Sequence, residues 1–274
     1  PTIRQNYMKA LQQIFPSPDG LQVAFKNLNG IRTMILTPPE VTADRTLLFI
    51  HGGGYIHGGV EGYQSLAGKY AIELHAKVYL PDYRQAPEYK LPAPIEDVFA
   101  VYQYLNDQQI NPQHIALVGD SAGGAMVVTV MRWIRNHGLE LPAAGSALSP
   151  WPNLTNSGET MRTRDGLDPV ASKTFLDRMA RAFLGDQLAT DPDASPVYAD
   201  VRGLPPIMIQ TGENEVMMAD AVDLAGHLAK NRVRVTLEVW PHMFHVWHQF
   251  YSVLPAAAGA LNNSVRFIET EMSK

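Results

Sequence analysis

The chain has 274 residues, 46% hydrophobic and 18% charged, with a formal net charge of −5 and no cysteine. This length and balance suit an ordinary globular α/β domain with an insertion, and they exclude disulfides, thiolate metal ligands and a basic surface for nucleic acid. No stretch approaches the roughly 18 uninterrupted apolar residues of a membrane span, and the N-terminus lacks the apolar core of a signal peptide, so a cytoplasmic protein is expected.

Ile3, Tyr7, Leu11 and Phe15 recur every four residues and predict an amphipathic helix ended by Pro16-Ser17-Pro18. Two strands follow, near Leu21 to Lys26 and Ile31 to Thr37, joined through Asn27-Leu28-Asn29-Gly30 as a hairpin. From Thr46 strands and helices alternate: TLLFI, the loop HGGGYIHGG, a helix near Gly62 to His75, the strand AKVYLP and a helix near Ala93 to Asn106. The strand beginning at Ile115, its following helix and a strand near Ala143 to Leu148 continue the series, which implies right-handed crossovers and a mostly parallel sheet flanked by helices.

Between Pro150 and Pro196 the alternation lapses. Trp151 to Asp168 reads as loop, Pro169 to Leu184 as helix, and Asp186 to Pro196 as an acidic, proline-broken connection. Such an insertion would arch over the strand ends where ligands bind in open α/β sheets. The expected organisation is therefore a cap helix over residues 1–20, a core over 21–150 and 197–274, and a cap insertion over 151–196. The alternation resumes with PPIMIQTGE, a helix near Met218 to Lys230, the strand VRVTLEVW and a last helix near Pro255 to Glu271.

The chemistry centres on Gly119-Asp120-Ser121-Ala122-Gly123, where an apolar strand turns directly into a helix. Glycines two residues either side of Ser121 let that turn close with the hydroxyl standing clear, and the helix N-terminus places N–H groups beneath any oxyanion. A serine needs a base, and the base an orienting acid. Glu215 and His245 each fall just past a strand, on the same sheet edge as Ser121, and the order serine, acid, histidine is that of the α/β-hydrolase pattern. Glu213 and Asp220 compete as the acid, His242 and His248 as the base. A zinc site of the three histidines is disfavoured, because i, i+3 and i+6 in a loop share no face. His51-Gly52-Gly53-Gly54-Tyr55 lacks phosphate-loop spacing and suits a backbone that turns Gly53 and Gly54 N–H groups, with that of Ala122, toward an oxyanion. Tyr55, Trp151, Met243 and Phe244 adjoin these loops and are candidates for the substrate pocket, with core packing as the alternative.

HGGGY at His51 to Tyr55, DYRQAPE at Asp82 to Glu88 followed by LPAPIEDV, GDSAGG at Gly119 to Gly124, SPVYADVRGLPP at Ser195 to Pro206, GENEV at Gly212 to Val216 and MFHVW at Met243 to Trp247 occur together and in order. In these motifs the chain resembles the hormone-sensitive-lipase-like carboxylesterases, α/β-hydrolases with a small helical cap. The resemblance implies Ser121 as nucleophile, His245 as general base, Glu215 as acid where many relatives carry aspartate, and Gly53, Gly54 and Ala122 as the oxyanion hole. It also implies a small-molecule ester substrate of short to medium acyl chain, no cofactor or metal, and a homodimer paired through the edge strand VRVTLEVW. The same machinery suits amides, lactones and acetylated small molecules, because the pocket chooses the substrate. A non-catalytic receptor on this fold is the alternative of another kind, and it would be expected to have lost part of the triad.

Overall fold

The computed structural model describes residues 2–42 and 45–274, with the side chain of Ile3, first in the predicted apolar stripe, outside the described set. Among these residues the apolar runs assemble into one eight-stranded sheet of order β1-β2-β4-β3-β5-β6-β7-β8. The strands are β1 (Gln22–Leu28), β2 (Ile31–Thr37), β3 (Thr46–Ile50), β4 (Lys77–Pro81), β5 (Ile115–Asp120), β6 (Ala144–Leu148), β7 (Ile207–Gly212) and β8 (Val235–Trp240). β1 pairs antiparallel with β2 and β2 with β4, and every later pairing is parallel.

Residue alternation builds the two layers. Leu48, Ile50 and Leu117 face a core shared with α3 (Ala93–Asp107), α4 (Ala122–Asn136) and α7 (Met218–Lys230). Leu47, Phe49, Ala116 and Val118 face the opposite core, formed with α2 (Gln64–Leu74) and α8 (Pro255–Met272), and Leu11 of α1 (Thr2–Ile14) joins it. β3 and β5 are buried on both faces, as their unbroken apolar sequences require. β8 ends the sheet and is half exposed.

Three boundaries differ from the sequence reading. β1 continues to Leu28 because Asn29-Gly30 alone makes the turn; both residues take positive φ, 49° and 91°, as a two-residue hairpin demands. The predicted loop 151–168 contains a one-turn helix, α5 (Thr160–Thr163), too short for periodicity to signal. The helix predicted from Pro169 begins instead at Lys173, where the Ser172 hydroxyl accepts the Phe175 N–H and caps α6 (Lys173–Leu184). Among the described residues no helix is long and apolar enough to cross a membrane.

Candidate active site

β5 delivers Ser121 at the C-terminal edge of the sheet, with the strained backbone angles φ 54° and ψ −121°. Its N–H is fixed to the Leu148 carbonyl of the neighbouring β6 at 2.9 Å. The flanking glycines are explained by contact: a Cβ on Gly123 would lie 2.0 Å from the Ile50 carbonyl oxygen, and one on Gly119 would lie 2.5 Å from that of Gly123. Helix α4 is thereby seated directly against the end of β3.

The loops after β7 and β8 bring Glu215 and His245 to the same place. The Ser121 Oγ lies 2.9 Å from His245 Nε2, and His245 Nδ1 lies 3.0 Å from Glu215 Oε2. An ionised carboxylate only accepts, so Nδ1 carries the proton and Nε2 is free to accept the Ser121 O–H. Glu215 is wholly buried, and its Oε1 accepts the Ser149 O–H at 2.7 Å and the Gly212 N–H at 2.6 Å. Burial pulls the His245 pKa down. The hydrogen bond to Glu215 and the charges of Glu215, Asp168 and Asp120 outweigh it, leaving the imidazole above its ordinary 6.5.

The competing side chains lie elsewhere. His242 is exposed on the rim, its N–H donating to Glu213 Oε2 at 2.9 Å. His248 is buried and donates from Nε2 to Gln210 Oε1 at 3.1 Å; burial, reinforced by the neighbouring His245, drives its pKa down to about 3. Asp220 is buried against the insertion, accepting from Asn153 Nδ2 at 2.9 Å, and burial raises its pKa to about 6. Among the described residues no group of three or more histidine and carboxylate side chains is arranged to hold a metal ion.

Gly53 and Gly54 adopt φ of 113° and 60°, and Gly53 offers its carbonyl to the N–H groups of Ile56 and His57 at 3.1 and 3.0 Å. Among the described residues, no hydrogen bond occupies the N–H groups of Gly53, Gly54 or Ala122, the last at the first position of α4 where no helical partner exists. Asp120 holds this loop to β5: its carboxylate accepts the Gly52 N–H at 2.9 Å and the Tyr63 O–H at 3.1 Å, and burial raises its pKa to about 7.

The four pocket candidates divide into two groups. Tyr55 is buried in a parallel stack on Phe183 of α6, ring centroids 3.8 Å apart, with Trp151 6.0 Å away. The Trp151 backbone N–H donates to the Ser121 carbonyl at 3.0 Å, and its indole N–H to Asn156 Oδ1 at 2.8 Å. Met243 and Phe244 instead pack in a separate cluster with Trp247, Ala257 and Ala260 beside α8. Two residues not singled out in the sequence join the site, Ser149 and Asp168. Ser149 follows β6 on the same sheet edge, which was the available signal; Asp168, inside the insertion, offered none.

The model of the α/β-hydrolase fold family matches residues 47–249. The chain is 36% identical over 261 residues to an acetyl-hydrolase of Streptomyces hygroscopicus, covering 92% of this chain and 87% of the relative. It also superposes on the crystal structure of an esterase from the bacterial hormone-sensitive lipase family with a TM-score of 0.95, at 36% identity, covering 98% of this chain and 90% of that one. A crystal of EstE5 soaked with p-nitrophenyl butyrate is similar with a TM-score of 0.94 and 34% identity, covering 98% of this chain and 92% of that one.

Proposed function

The chain belongs to the α/β-hydrolase family, among its hormone-sensitive-lipase-like members, and is a carboxylic-ester hydrolase; from that premise we propose that it works through a Ser121–His245–Glu215 triad and an acyl-enzyme. The observation that carries this reading is the unbroken relay of 2.9 and 3.0 Å contacts from hydroxyl to imidazole to carboxylate. His245 Nε2 takes the Ser121 proton as Oγ attacks the ester carbonyl carbon, and Glu215 stabilises the imidazolium. The Gly53, Gly54 and Ala122 N–H groups receive the oxyanion. The tetrahedral intermediate collapses when Nε2–H protonates the departing alcohol. Water, deprotonated by the same nitrogen, then attacks the acyl-serine and releases the acid.

We further propose that residues 1–20 and 151–196 form a cap. Arg4 of α1 donates to the Ile56 and Ala86 carbonyls at 2.6 and 2.5 Å, and Met179 of α6 lies so near Gly54 that a Cβ there would be 2.2 Å from its sulfur. Ser121 beneath is only 7% exposed. So confined a site supports esters with a short to medium acyl group, as do the acetyl-hydrolase relative and the neighbour soaked with a butyrate ester. The test is hydrolysis of p-nitrophenyl acetate through palmitate by wild type and Ser121→Ala. Activity should fall with chain length and drop by three or more orders of magnitude in the variant, roughly as for other serine hydrolases. Undiminished activity in Ser121→Ala would overturn the triad.

A further inference from the structure

The backbone that presents the base is itself unusual. Val246, immediately after His245, has φ 53°, a left-handed conformation costly for a β-branched residue. Two successive N–H groups at this turn are taken up by side chains from other parts of the chain. Val246 donates to Ser149 Oγ at 3.1 Å, and His245 donates to Asp168 Oδ1 at 3.4 Å. Ser149 comes from the sheet core and also grips Glu215. Asp168 comes from the 151–196 insertion, just before α6.

Asp168 is 7% exposed, and the same Oδ1 gathers the N–H groups of Val170 and Ala171 at 3.0 and 3.3 Å, so the carboxylate closes its own turn while reaching the catalytic loop. Its Oδ2 is buried with no partner among the described residues. A buried carboxylate with one oxygen left without a donor acts on what stands beside it, and here that is the base.

We propose that Asp168 is a positioning residue for His245, one that ties the placement and the charge of the general base to the docking of the insertion. The proposal rests on the triad reading of the site. Four titratable groups bear on the imidazole: Glu215 from the loop after β7, Asp120 from the end of β5, Asp168 from the insertion and His248 from its own loop. Glu215 and Asp120 belong to the sheet core and the loop at its end, and they stay whatever the insertion does. Asp168 leaves with it, so undocking removes a carboxylate from the base and the anchor from its backbone together.

The experiment uses Asp168→Asn and Asp168→Ala in the full chain, with kcat and KM on p-nitrophenyl acetate across pH and the His245 ring titration followed by NMR. Asparagine keeps an oxygen for the three N–H groups and loses only the charge. The acid limb of kcat/KM should therefore move down by about half a pH unit from its wild-type position, and the NMR midpoint with it. Alanine should also lower kcat by about tenfold or more with KM nearly unchanged, because a displaced base costs turnover rather than binding. If Asp168→Ala fails to fold, Asp168→Asn decides alone. Acid limb and NMR midpoint both at their wild-type values in Asp168→Asn would overturn the proposal. Failure of the triad reading shows separately, as turnover surviving in Ser121→Ala, and the NMR midpoint would still report on Asp168.

Discussion

Both oxygens of Glu215 are committed: Oε2 to the imidazole, Oε1 to the Ser149 hydroxyl and the Gly212 N–H. Glutamine in its place must turn an NH2 toward groups that require an acceptor, and the imidazole then favours the wrong tautomer. Glu215→Gln should therefore lower kcat by about a hundredfold or more, whereas Asp220→Asn, whose carboxylate faces Asn153, should leave turnover within about threefold. Steady-state kinetics of the two variants decide it, and the reverse ranking would transfer the acid role to Asp220. Spacing made Ser121, Glu215 and His245 candidates because each ends a strand on one sheet edge. Ser149 carries the same sheet-edge signal, while the reach of Asp168 to the His245 N–H, 77 residues away, leaves no trace in its spacing. A side chain that holds distant backbone shows only the local turn it also closes.

Elements were legible where a residue carried its own geometric demand. Asn29-Gly30 specifies a hairpin, and β1 runs two residues past Lys26 because the turn needs two residues rather than four. The helix read over Pro169 to Leu184 starts four residues later, at Lys173, since Ser172 and not the proline supplies the cap. Ser172→Ala should lower unfolding free energy by about 1 kcal/mol, measured by urea titration. β8 reads as a strand, and it ends the sheet with Leu237 and Val239 exposed.

At the scale of the molecule, alternating strands and helices declared a mostly parallel sheet, and the lapse after Pro150 marked where the alternation would be interrupted. The order of strands was not legible, because an apolar run says that a strand is buried and nothing of which neighbour it meets. That order distributes the site unevenly. Ser121 hangs from β5, flanked by β3 and β6 deep in the sheet, while His245 follows β8, the last strand, half exposed at the sheet edge. Local opening costs least where few buried contacts hold the chain, so the amides of 242–244, in the exposed turn after β8, should exchange with deuterium orders of magnitude faster than those of 115–121. Warming then frays the molecule from one side. Turnover should fade several degrees below the cooperative melting of the fold and return on cooling. In the proposed triad the proton acceptor is then lost first, leaving Ser121 intact but idle in a sheet that has yet to melt.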